Sequence, residues 1–146
     1  MKKRFLIINL GWEQRPLIEK IVARREFDLF GVHHSNDPSL PPVFQDVFVT
    51  DLRDLASILD YAGKIKPNYV ISDGCDYSLI AQAAIAEKLD LPGPSLHGAQ
   101  LSNNKFLQRE FSKGKGILTP NYELCLNTKS AENFAEKNGY PIILKP

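Results

Sequence analysis

The sequence predicts an α/β protein: a Rossmann-like parallel sheet with helices on both faces, then an incomplete α+β subdomain. Two observations predict the sheet. Short apolar runs suited to buried strands alternate with stretches whose apolar residues recur at helical spacing. Breaker residues separate them, so a helix rather than a hairpin links most strands. A third observation predicts the second part. After Pro94 the pattern changes, and from about residue 115 too few apolar residues remain for a separate core. The expected organisation is therefore a first domain over residues 1–95 and the start of a second over 96–146.

Arg4 to Leu10 reads as a buried strand, followed by a turn at Gly11. Pro16 suits the first turn of a helix, where its missing N–H costs nothing, and Leu17, Ile18, Ile21 and Val22 share one face. Phe27 to His33 is a second strand, and residues 34–45, with Asn36, Asp37, Pro38, Pro41 and Pro42, form a loop. A short strand at Val47–Thr50 precedes a helix capped by Thr50 or Asp51. Leu52, Leu55, Ile58, Leu59 and Ala62 give that helix its buried stripe, and Gly63 ends it. Asn68 to Ser72 is the next strand. Asp76 is expected to cap a helix that buries Tyr77, Ile80, Ala81, Ala84, Ile85 and Leu89, until Leu91-Pro92-Gly93-Pro94 breaks it. Ser95–Ser102 reads as irregular, Asn103–Lys113 as a helix, Asn121–Asn127 as a strand, Ser130–Asn138 as a helix closed by Gly139, and Ile142–Lys145 as a last strand. Domains seldom end on an unpaired apolar strand, so the 146 residues are expected to be part of something longer.

Composition narrows the function classes. With 18 Lys+Arg against 17 Asp+Glu, the net charge of +1 supplies no field for nucleic acid or an anionic membrane. The start Met1-Lys2-Lys3-Arg4 is followed by an apolar run too short for a signal peptide, and no stretch is long enough to span a bilayer. Cys75 and Cys125 lie far apart without a CxxC context, the usage of a reducing, cytoplasmic protein.

Several residues could carry chemistry. Asn9-Leu10-Gly11-Trp12-Glu13-Gln14 follows the first strand, where a dinucleotide fold would place G-x-G-x-x-G; the glycines are absent, and no P-loop occurs elsewhere. Gly11 is then a turn glycine, or it lines a small-molecule site with Glu13 at the strand's C-terminal end. Asp73 and Asp76 stand at an equivalent turn after a later strand, as cap and turn residues or as ligand contacts. Cys75 reads as a packed thiol, His33-His34 as an exposed loop pair whose side chains diverge, and His97 as an isolated surface residue. Lys105 opens a helix, where the dipole disfavours a cation. It is a solvated lysine there, or an anion bridges it to the helix N-terminus. Lys145 ends an apolar strand, either guarding an edge or meeting phosphate in a cleft.

Asp73-Gly74-Cys75-Asp76, Leu91-Pro92-Gly93-Pro94-Ser95, Asn104-Lys105 with Arg109, Gly116-Ile117-Leu118-Thr119-Pro120 and Gly139-Tyr140-Pro141-Ile142-Ile143-Leu144-Lys145-Pro146 together resemble the ATP-grasp superfamily. Their order and spacing match the join between its N-terminal (pre-ATP-grasp) domain and the first part of its ATP-binding domain. The likeness is to the carboxylate–amine ligase, carbamoyl-phosphate-synthase and biotin-carboxylase branches. It covers residues 70–146; residues 1–69 are compatible with it. The resemblance implies an ADP-forming ligase that activates a carboxylate as an acyl phosphate for attack by an amine. It assigns Lys105 and Lys145 to the ATP phosphates, with Asn104 standing where Asp is commoner. Gly11, Glu13, Asp73 and Asp76 become candidates for substrate binding at strand ends facing the ATP cleft. It names no catalytic residue and no metal ligand within the chain: magnesium ligands and the glycine-rich loop are expected beyond residue 146, so these residues alone should not turn over ATP. Small-molecule substrates, no nucleic acid, no membrane and a homodimer through the N-terminal domain are the partners it implies. A different class, a non-catalytic Rossmann-like binding or interaction module, would leave both lysines as ordinary surface charges.

Overall fold

A computed structural model describes residues 2–37 and 39–145. Met1, Pro38 in the expected loop and Pro146 at the end of the expected motif lie outside the described residues. Two compact units are present, Met1–Ala99 and Gln100–Pro146.

In the first unit, β1 (Lys3–Ile8), β2 (Phe27–His33), β3 (Phe44–Val49) and β4 (Tyr69–Ser72) form one sheet in the order β3-β2-β1-β4. All three pairings are parallel. Parallel strands need crossover connections; α1 (Arg15–Ala23) joins β1 to β2 and α2 (Leu55–Ile65) joins β3 to β4, with α3 (Asp76–Lys88) following β4. Side chains alternate across a strand, so successive residues enter two different cores. Leu6 and Ile8 of β1, Val32 of β2 and Val70 of β4 pack with Ile58 and Ala62 of α2 and Ala81 and Ile85 of α3. On the opposite face Ile7 and Leu29 pack with Ile18 and Ile21 of α1. Helices on both faces, as the sequence predicts, are thus present.

Several boundaries differ from expectation, each for a local reason. β3 begins at Phe44, inside the expected loop, because it pairs with β2 from Leu29 onward. The cap of α2 is neither Thr50 nor Asp51 but Asp54, whose carboxylate accepts the Ser57 N–H at 3.1 Å. Asp51 is instead occupied by Arg53, whose guanidinium holds that carboxyl down at about 2. Gly63 lies inside α2, which runs on until Lys66 adopts a left-handed φ of +47°. At α3 the cap position falls to Cys75 without a side-chain bond, and Asp76 occupies the first turn, where its charge suits the helix dipole. Tyr77, expected in the core, is 60% exposed, while Ala83 and Ala86 are buried. The expected irregular stretch is α4 (Leu96–Asn103), begun by Ser95, whose Oγ accepts the Gly98 N–H.

His33 corrects the reading of an exposed histidine pair. It closes β2 with 2% of its surface exposed, and its Nδ1 accepts the Leu10 N–H at 3.2 Å. His34 is exposed, with its ring 4.3 Å away. An accepting Nδ1 requires the neutral imidazole protonated on Nε2.

The second unit contains α5 (Lys105–Gly114) and α6 (Thr128–Asn138). Asn104 caps α5 by accepting the Leu107 N–H at 3.0 Å. Asn127 and Ser130 form a reciprocal capping box on α6, and Gly139 closes that helix at φ +85°. The expected strands at 121–127 and 142–145 are not strands, since among the described residues neither has a hydrogen-bonded ladder. Apolar sequence alone does not make a strand without a partner edge. Leu126, Ile143 and Leu144 are accordingly 83%, 82% and 71% exposed. Among the described residues no helix is long and apolar enough to cross a membrane.

Both the core and the buried histidine can be tested by unfolding. Leu6→Ala deletes a fully buried side chain at the sheet centre and should cost about 2–5 kcal/mol in urea unfolding. Burial, then the nearby His34, holds the His33 pKa below its usual 6.5, with Asp37 opposing. The unfolded chain therefore binds the proton more readily, and stability should fall as pH drops below about 6.5. Urea unfolding between about pH 7.5 and 5.5 should show that loss, and His33→Asn should reduce it.

Candidate functional site

The strand order places one crevice at a topological switch point. The chain runs outward from β1 through β2 to β3, then returns to place β4 on the other side of β1. The C-terminal ends of β1 and β4 are therefore adjacent, with Ile8 opposite Ser72. In open α/β sheets, ligands bind at such a crevice.

Below it, the turn after β1 is tied to β2. The Asn9 N–H donates to the Val32 carbonyl at 2.9 Å, and the Leu10 N–H donates to His33. Asn9 takes φ +69°, which Asn tolerates better than most residues, and its Oδ1 accepts the Gly11 N–H at 3.3 Å. At Gly11 a Cβ would lie 2.7 Å from Oε2 of the exposed Glu13, which can swing aside, and 3.0 Å from Oε1 of the buried Gln14, which is tightly held. A 3-10 turn at Trp12–Gln14 leads into α1.

Gln14 is the residue that residue-type reasoning missed. It is fully buried, and its Nε2 donates to the backbone carbonyl of Asp73 in the turn after β4. Gly74, at φ +61°, sits against that amide; a Cβ there would lie 3.2 Å from Nε2 and 3.6 Å from Glu13 Cβ. The only advance signal is its spacing in Asn9-x-Gly11-x-x-Gln14.

The predicted substrate residues thus divide. Gly11, Glu13 and Asp73 come together through Gln14, with the Glu13 and Asp73 residues exposed. Asp76 lies a little further on, exposed in the first turn of α3. Trp12 and Tyr77, 75% and 60% exposed, belong to the same two connections. The turns therefore present carboxylates and aromatic rings, a lining suited to hydrogen-bond donors or planar groups rather than to bare phosphate. Gln82 supports the β4 side by accepting from both the N–H and the hydroxyl of Ser72, at 3.0 and 2.8 Å. Cys75 is half-buried, and His97 is exposed on α4.

Lys105 and Lys145 belong to the second unit. Lys105 is the first residue of α5, immediately after its Asn104 cap, and it is exposed. Lys145 is exposed in a non-strand segment. Neither is in an ion pair among the described residues. Among those residues no group of three His, Cys, Asp or Glu side chains is assembled that could hold a metal ion.

No protein-family model matches the chain. It is 28% identical over 101 residues to the formate-dependent phosphoribosylglycinamide formyltransferase of Corynebacterium glutamicum, an alignment covering 68% of this chain and 25% of that protein. Among solved structures, phosphoribosylglycinamide synthetase from Anaerococcus prevotii superposes with a TM-score of 0.76 at 17% identity, over 97% of this chain and 36% of that one. N5-carboxyaminoimidazole synthetase from Staphylococcus aureus, complexed with ADP, gives a TM-score of 0.71 at 16% identity, over 99% and 39%. The chain thus spans between a quarter and two fifths of the length of these proteins. The resemblance read from the sequence is borne out: the chain is similar to ATP-grasp ligases, and its fold is that of their N-terminal region.

Proposed function

We propose that this chain forms the N-terminal part of an ATP-dependent, ADP-forming ligase that joins a carboxylate to an amine. Residues 1–95 would be its pre-ATP-grasp domain and residues 96–146 the beginning of its ATP-binding domain. The observation that carries this reading is Lys105, an exposed lysine at the first position of α5, next to N–H groups that the helix itself cannot satisfy. An ammonium there adds to the positive end of the helix, so phosphate oxygens suit it better than water alone.

ATP supplies the phosphoryl group that converts the carboxylate into an acyl phosphate, and the amine then displaces phosphate. Lys105 and Lys145 would donate N–H groups to phosphate oxygens and offset the charge that builds on them, the main electrostatic demand of phosphoryl transfer. Gly11, Glu13, Asp73 and Asp76 would bind the remaining substrate at the β1–β4 crevice, where Glu13 and Asp73 can accept from an amine. Magnesium would be held by residues beyond 146, as the resemblance implies. Two of these relatives carry phosphoribosylglycinamide in their names, one of them with formate, which makes phosphoribosylglycinamide with formate the first substrate pair to try. A net charge of +1 agrees with small-molecule partners and gives no support to nucleic acid.

ATP should raise the thermal midpoint of the whole protein. Lys105→Ala and Lys145→Ala should each weaken ATP binding about tenfold to a hundredfold, the worth of a charge-assisted hydrogen bond of ~1.5–3 kcal/mol. Their midpoints without ATP should stay near wild type. Equal ATP protection in Lys145→Ala would remove that residue from the nucleotide site.

A further inference from the structure

The residues at positions 9, 11 and 14 have the spacing of the G-x-G-x-x-G fingerprint, but only the middle position is glycine. In that fingerprint the first glycine makes the tight turn, the second lets the backbone approach a pyrophosphate and the third allows close packing of helix on strand. Here the first position is met by Asn9 at a left-handed φ. The third, a packing position in that fingerprint, is filled by a glutamine side chain. Gln14 is fully buried, its Nε2 donates to the Asp73 carbonyl, and its amide lies between Gly11 of one turn and Gly74 of the other. Either glycine, given a Cβ, would press on that amide, at 3.0 and 3.2 Å. Gln14 Oε1 is buried and has no hydrogen-bond partner among the described residues. The amide cannot be turned over to relieve this, because Oε1 would then face the Asp73 carbonyl oxygen.

We propose that Gln14 is a positioning residue: a side-chain amide clamp that holds the β1 and β4 turns at a fixed gap, setting Glu13 and Asp73 toward one bound group. A buried acceptor left unpaired is costly, and it is tolerated here because the same amide makes the tie. The assignment of Glu13 and Asp73 to substrate rests on the function proposed above; the clamp itself does not.

The test uses Gln14→Leu and Gln14→Glu, with anisotropy read on the 146-residue chain and turnover read on the whole protein. Trp12, the single tryptophan of these 146 residues, lies two positions from Gln14 and is mostly exposed, so its fluorescence anisotropy reports the β1 turn. Gln14→Leu keeps the bulk and removes the donor, and anisotropy should fall at every pH. Gln14→Glu should behave alike at about pH 7.5, where the introduced carboxylate has no proton to donate and faces Glu13 and Asp73. Near about pH 5 its protonated form can donate to the Asp73 carbonyl, and anisotropy should return toward wild type at the same pH. A packing role alone would show no such return. With phosphoribosylglycinamide, formate and ATP, Gln14→Leu should raise the KM for phosphoribosylglycinamide about tenfold and leave the KM for ATP unchanged. Wild-type anisotropy in Gln14→Leu, or no acid recovery in Gln14→Glu, would overturn the clamp. Intact clamp behaviour without ADP formation by the whole wild-type protein would instead count against the proposed substrates and leave the clamp standing.

Discussion

Leu6, Ile7 and Ile8 are withdrawn from water on both faces of a single strand, and that burial constrains most of the first unit. A strand covered on both faces needs neighbours on both edges, and β2 and β4 provide them. Parallel neighbours need crossovers, and the crossover helices bury α1 under one face and α2 with α3 under the other. The crevice follows from the same constraint, because placing β2 and β4 on opposite sides of β1 makes β1 the point where the strand order reverses.

What is legible in the sequence is what periodicity reports. The continuous apolar run along Phe5 to Ile8, whose side chains enter two opposite cores in turn, and the repeat through Ile18 and Ile21 are consequences of side-chain geometry within one element, so they survive into the structure. Properties set by a partner are less legible. Asp54 and Asp51 are both suitable caps by residue type, and only the bond to Arg53 shows why Asp51 is not one. Ile143 and Leu144 mislead for a related reason: their apolar side chains suit a strand, yet strand structure belongs to a pair. His33 reads as half of a surface pair because nothing local reveals that the turn after β1 brings the Leu10 N–H to it.

The candidate site shows the same division. Gly11, Glu13 and Asp73 are accessible from their positions after predicted strands, since the ends of parallel strands gather at one edge. Gln14 is not, because a glutamine in a helix-leading turn carries no sign of burial. Its importance comes from two glycines, Gly11 in its own turn and Gly74 far along the chain. The lysines are found by an opposite route, through placements that look unfavourable in isolation. Lys105 remains at the helix start in the structure, whereas Lys145 lies outside any strand, and its candidacy rests on the sequence motif.

The bond from Gln14 to Asp73 spans 59 positions of chain. During synthesis the first turn, with Gly11 and Glu13, leaves the ribosome well before β4 exists. A nascent or proteolytically shortened chain lacking residues 69–74 would thus display the acidic turn without its counterpart. Under the proposed function, ligand recognition at this crevice would require β4 in place, and a small molecule bound there would stabilise the chain only after β4 has docked.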